Sequence, residues 1–138
     1  MKMLYIICVI TLLAAGIAVN AETKIIRDAT GRIIGTVTTD GSRTTYRDAQ
    51  GRITATASTS GGTTTYRDAQ GRIIGTRTVS GSRAAYRDAQ GRTVATATGS
   101  GDHTTYRDAS GRTVGTATQS GSGTTYRDAS GRFRGTKR

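Results

Sequence analysis

The chain has 138 residues, a formal net charge of +11, 19 Gly, no Pro, no Trp and one Cys. From Glu22 onward there are 12 Ile, Val and Phe in 117 residues and no Leu, roughly half the share on which a globular core usually rests. That excludes an ordinary two-layer enzyme domain and would by itself suggest disorder. It leaves repeat architectures, where order comes from stacking between neighbours.

The first element is Met1 to Ala21. One Lys precedes an apolar run from Leu4 to Val19, and Val19-Asn20-Ala21 places small residues where a signal peptidase cuts. Sixteen residues are fewer than the roughly 20 a spanning helix needs, so the spacing predicts a cleaved secretory signal over 1–21 and a secreted or periplasmic protein. Cys8 lies inside the run, and cleavage leaves a cysteine-free chain, 22–138, with 19 basic and 9 acidic residues. Such a chain tolerates an oxidising compartment without gaining a disulfide from it.

The rest repeats every 20 residues. Ile26 opens IRDATGR, Tyr46, Tyr66 and Tyr86 open YRDAQGR, and Tyr106 and Tyr126 open YRDASGR. Asp48-Ala49-Gln50-Gly51 has the Asp and Gly preferences of a type I turn, with Gly51 suited to the left-handed position of a bulged three-residue loop. Ser60-Gly61 and its equivalents mark a second turn. Between the turns, Thr, Tyr, Ile, Val and Arg favour strands. The expectation is an all-β repeat protein, an antiparallel β-hairpin meander of six 20-residue repeats. Its rivals are a parallel β-solenoid with 20-residue coils and a chain that orders only on binding.

If Asp48 and Arg52 close a hairpin, Tyr46 faces Thr54, Thr44 faces Thr56, and Arg47 lies beside Ile53 on the other face. The same register sets Tyr66 against Ile74 and Tyr106 against Val114, and makes an Asp–Arg ion pair in every hairpin. An even-numbered Ser-Gly turn would then send successive Tyr to alternate faces. The first and last repeats read as caps, with Arg134, Lys137 and Arg138 charging an edge strand against aggregation.

The segment Gly61, Thr64, Thr65, Tyr66, Asp68, Gly71, Arg72, Ile73 resembles the YD repeats of Rhs and teneurin proteins. In that family Tyr immediately precedes Asp; here Arg67 intervenes and Tyr stands one position earlier. The resemblance implies repeated β-hairpins in an exported, surface-associated protein, and six repeats are too few for a cargo shell.

For catalysis the chain offers little. His103 is the lone histidine, beside a turn. The repeated Asp are accounted for by turn chemistry, and Asp40 and Asp102 lack a calcium-binding repeat around them. No catalytic residue, metal, cofactor or small-molecule substrate is expected.

The binding candidates are Arg47, Arg67, Arg87, Arg107 and Arg127 with Tyr46, Tyr66, Tyr86, Tyr106 and Tyr126 beside them. A second row is Arg52, Arg72, Arg92, Arg112 and Arg132. Guanidinium groups grip phosphate and carboxylate in bidentate fashion, so regularly spaced Arg suits an anionic polymer or membrane surface: glycan, lipopolysaccharide, lipid or nucleic acid. The plain alternative is that these charges only keep a Thr-rich sheet soluble. The T-x-T pairs Thr36/Thr38, Thr76/Thr78, Thr96/Thr98 and Thr116/Thr118 resemble the arrays of β-helical ice-binding proteins. Free edge strands would suit a self-assembling surface or adhesin subunit.

Overall fold

The computed structural model describes residues 21–138. The expected signal peptide, apart from Ala21, lies outside them. Twelve strands follow one another: β1 (Glu22–Asp28), β2 (Ile33–Asp40), β3 (Arg43–Asp48), β4 (Ile53–Ser60), β5 (Thr63–Asp68), β6 (Ile73–Ser80), β7 (Arg83–Asp88), β8 (Thr93–Ser100), β9 (His103–Asp108), β10 (Thr113–Ser120), β11 (Gly123–Asp128) and β12 (Phe133–Lys137). Each is antiparallel to the next, so the hairpin meander is present and the solenoid is not. The sheet is not open, however. β12 pairs with β1 through Ile26–Lys137, Arg27–Thr136 and Asp28–Gly135, and the strands close into a barrel.

Closure corrects the expectation of caps and edges. Arg134, Lys137 and Arg138 belong to a paired seam, where the Ile25 amide donates to the Arg138 carbonyl at 2.8 Å. Lys137 points inward and is 6 % exposed. Burial pulls its ammonium down to about 8, with Lys24 adding repulsion.

The stagger explains why six hairpins suffice. The pairing line from Ile26 to Gly35 to Asp48 climbs two residues beyond the 20-residue repeat. Six such climbs give a shear of about 12 for twelve strands, which sets a strand tilt near 35° and a wall radius of about 11 Å.

Two turn types make the reversals. At the Asp turn, the Gly51 amide donates to the Asp48 carbonyl at 3.0 Å and the Asp48 amide to the Arg52 carbonyl at 2.9 Å, with Gly51 at φ 81°. The Asp48 carboxylate accepts the amides of Gln50 and Arg52, each at 2.9 Å. This is a type I turn with a glycine bulge, braced by its own Asp. The expected ion pair in every hairpin is corrected: it forms at Asp68–Arg72 (3.0 Å) and Asp88–Arg92 (2.8 Å), and Asp128 takes Arg134 instead. What recurs is the carboxylate on the backbone amides. At the other end Gly41 and its equivalents open two-residue loops, with φ near 57° at Gly81 and Gly121 and no positive φ at any non-glycine. That is the signature of a type II′ turn.

The register differs from the simple hairpin in one place per repeat. Arg47 pairs with Ile53, but Tyr46 pairs with Ala55, so Thr54 is an extra residue in a β-bulge. Tyr46 therefore does not face Thr54, and Thr44 faces Ala57. Tyr66 likewise faces Gly75, and Tyr106 faces Gly115. The extra residue has a large effect, because one inserted residue moves every later side chain to the other face. The two-residue loop alone would turn alternate Tyr outward. The bulge cancels that parity, and all five Tyr from 46 to 126 are buried inside.

The interior is built in rings. Ile26 and the five Tyr form one, interleaved with Val37, Ala57, Arg77, Ala97, Ala117 and Lys137. Large rings against small neighbours fill a wall of this radius without Leu. Nearer the Asp turns the inward position alternates Gly35, Ala55, Gly75, Ala95 and Gly115. There a Cβ on Gly75 would fall 2.5 Å from the Arg87 carbonyl oxygen, and one on Gly115 2.7 Å from that of Arg127. The Tyr46 and Tyr66 hydroxyls and the Arg77 Nε are buried without a hydrogen-bond partner, and the Arg77 guanidinium lies 5.9 Å from the Tyr86 ring centroid. Burial raises the ionisation of Tyr46 and Tyr66 well above the ordinary phenol value, and raises that of Tyr86.

Candidate functional site

The strand alternation that puts Tyr inside puts the neighbouring Arg outside. Arg27, Arg47, Arg67, Arg87, Arg107 and Arg127 are exposed and recur once per hairpin around the outer wall. Each lays its guanidinium over the adjoining Asp turn. Arg47 Nη1 donates to the Gly51 carbonyl at 3.0 Å, and the other five repeat the contact at 2.9 to 3.2 Å. One nitrogen is thereby anchored, which fixes the head in place and leaves other N–H donors facing solvent.

The sheet separates the two halves of the sequence-derived candidate set. Arg47, Arg67, Arg87, Arg107 and Arg127 share the outer wall; Tyr46, Tyr66, Tyr86, Tyr106 and Tyr126 share the interior. A ligand on the wall meets no Tyr ring. It meets Thr instead, since the outer cross-strand rows read Thr38–Thr45–Thr56–Arg67–Ile73 and Arg83–Thr98–Thr105–Thr116–Arg127–Phe133. The second Arg row sits at the Asp turns, with Arg72 and Arg92 side chains three-quarters exposed.

The acids are placed differently. Every Asp of the DAxGR turns has its Oδ1 occupied by backbone amides. The Ser130 hydroxyl, with the Arg132 and Ser130 amides, holds Asp128 at about 2, and Ser110 lowers Asp108 in the same way. The carboxylates are spent on the turns, and the wall between them is cationic.

Two local features were not singled out in the sequence. Ala84-Ala85 replaces the Thr-Thr of neighbouring repeats, and over Ala85 the wall sinks into an open depression of about 470 Å³ bordered by Arg83, Arg87 and Arg107. The double Ala was the available signal. The other feature lies where each wall Arg meets the next strand. Arg127 pairs with Phe133, Arg27 with Ile33, Arg47 with Ile53 and Arg67 with Ile73, whereas Arg87 and Arg107 pair with Thr93 and Thr113. The four apolar side chains are 39 to 46 % exposed.

His103 Nδ1 and Thr118 Oγ1 share a hydrogen bond of 3.1 Å on the outer wall. Strands of five to eight residues with Thr and Arg outside lack the tall apolar band of a membrane-spanning barrel. No protein-family model and no curated protein matches the chain.

Proposed function

We propose that the protein is an exported binding module whose outer wall holds anionic polymers or surfaces. The observation that carries this reading is the six-fold row of wall Arg, each with one nitrogen fastened to a turn carbonyl and the rest facing water. A pre-positioned guanidinium loses less freedom on binding, so an array of them favours phosphate, sulfate or carboxylate at regular spacing. The signal-like N-terminus supports an encounter outside the cytoplasm, where glycans and lipopolysaccharide present such groups. The YD-type resemblance points to the same surface-associated setting.

The Thr rows fit ice less well, because the wall is curved at a radius of about 11 Å and each Thr row ends in Arg. Self-assembly by edge pairing loses its premise in a barrel whose strands are all paired.

The test is retention on heparin. If about six contacts release counterions, affinity falls by roughly three orders of magnitude between about 50 and 200 mM salt. Arg→Gln changes at 47, 67, 87 and 107 flatten that dependence. Retention that ignores both salt and these changes overturns the reading.

A further inference from the structure

Seven large hydrophobic side chains stand exposed on the described barrel, and six of them, Ile25, Ile33, Ile34, Ile53, Ile73 and Phe133, fall on one side. Closure creates this patch. Phe133 and Ile33 are 100 residues apart in the chain, yet β12 lies against β1, so they occupy consecutive hairpins of one rim. Ile53 and Ile73 continue the arc, and Ile25 and Ile34 lie on β1 and β2, between Phe133 and Ile53. Thr93 and Thr113 take the same position on the opposite side.

Four of these apolar residues are set among cations. Phe133, Ile33, Ile53 and Ile73 follow Arg132, Arg32, Arg52 and Arg72 in the chain and pair across strands with Arg127, Arg27, Arg47 and Arg67. A soluble polyanion offers charge but nothing for the aliphatic groups. An anionic bilayer offers both: phosphates at the depth of the guanidiniums, and acyl chains just below them for Ile and Phe. Long Arg stems let the heads stay at the phosphates while the rim sinks.

We propose that this half of the Asp-turn rim is a docking surface for anionic phospholipid, on which the barrel sits tilted without crossing. The inference rests on the cationic-wall reading and names its occupant. It also separates from that reading by symmetry. A polymer tracking the wall uses all six hairpins alike, whereas a bilayer engages one side.

Because the chain has no Trp, a single introduced one reports its own surroundings. Phe133→Trp should shift its emission to the blue on vesicles of phosphatidylglycerol and phosphatidylcholine, and Thr113→Trp should not. The variant Ile33→Thr, Ile53→Thr, Ile73→Thr, Phe133→Thr carries the residue found natively at 93 and 113. It should lose at least about tenfold in partitioning to those vesicles while keeping heparin retention. Equal blue shifts at 133 and 113, or no shift at either, overturn the proposal. So does unchanged partitioning of the quadruple variant, with the cationic wall left standing. If the native chain binds neither vesicles nor heparin, both readings fall.

Discussion

The barrel has two ends, and they are written differently. At one, DAxGR occurs six times, with Asp, Ala, Gly and Arg unvaried. At the other the loops read Asp40-Gly41-Ser42-Arg43, Ser60-Gly61-Gly62-Thr63 and Ser100-Gly101-Asp102-His103, sharing only the glycine. The constant end does several jobs in five residues: it reverses the chain, ties up the carboxylate, takes the wall Arg on its glycine carbonyl and adjoins the bulge. The variable end only reverses the chain. A repeat is constrained according to how many interactions pass through it.

The contrast is broken most severely by deleting Thr54. Without that extra residue, everything after it turns to the opposite face, Tyr66 to Tyr126 no longer join Tyr46, and closure is lost. The expected outcome is disappearance of the β-sheet circular dichroism and of a cooperative melt. Two residues inserted between Gly101 and Asp102, at the variable end, should leave both intact, because lengthening a surface loop costs little.

Asn substitutions sharpen the comparison at the next level and reverse the apparent ranking. The left-handed position at Gly51 accepts Asn, so Gly51→Asn should cost only a few tenths of a kcal/mol. The first position of a type II′ turn is strongly a glycine one, and Gly61→Asn should cost about 1–2 kcal/mol in urea denaturation. Equal losses would mean that the two ends do not use different turns.

Between the ends, Arg77 stands where Val37 and three Ala stand in other hairpins, with its Nε unpartnered. Replacing a half-buried guanidinium whose Nε has no partner by an apolar side chain should relieve that desolvation, so Arg77→Val is expected to gain up to about 1 kcal/mol in the same assay.

Acid should act on the constant end first. The folded values of Asp28, Asp68, Asp88, Asp108 and Asp128 lie below the ordinary carboxylate value. Their contribution is therefore complete above the unfolded value near 4 and is lost as pH falls toward about 2. Calorimetric Tm should be level above roughly pH 5 and decline below 4, with the Gly111 and Gly131 amide signals moving before that of Gly121.

Much of the barrel could be read from the period: strands, both turn sites, the Asp–Gly chemistry and an Arg on the opposite face from its neighbouring Tyr. The bulge could not, because its residue is Ile34, Thr54, Ile74, Val94, Val114 or Arg134, and the five β-branched ones are ordinary strand residues that nothing marks as extra. Missing it displaced the Tyr–Ala register by one and left the fate of the Tyr faces open. Closure was hidden because stagger accumulates two residues at a time and no single hairpin shows it. The Arg rows of the candidate surface were legible from spacing. The apolar arc was not, since it joins the two ends of the chain.

The β1–β12 seam also says something about order along the chain. The Ile25 and Arg138 backbones exchange hydrogen bonds across it, as the strands within a hairpin do, so the ends of the described polypeptide meet as neighbours. Topologically the described barrel is a ring with one cut, set between β12 and β1. Joining the ends and reopening the chain at Gly101 would shuffle the sequence while preserving every ring of side chains. The repeats of 22–138 can thus be rotated as whole units without asking the barrel to change.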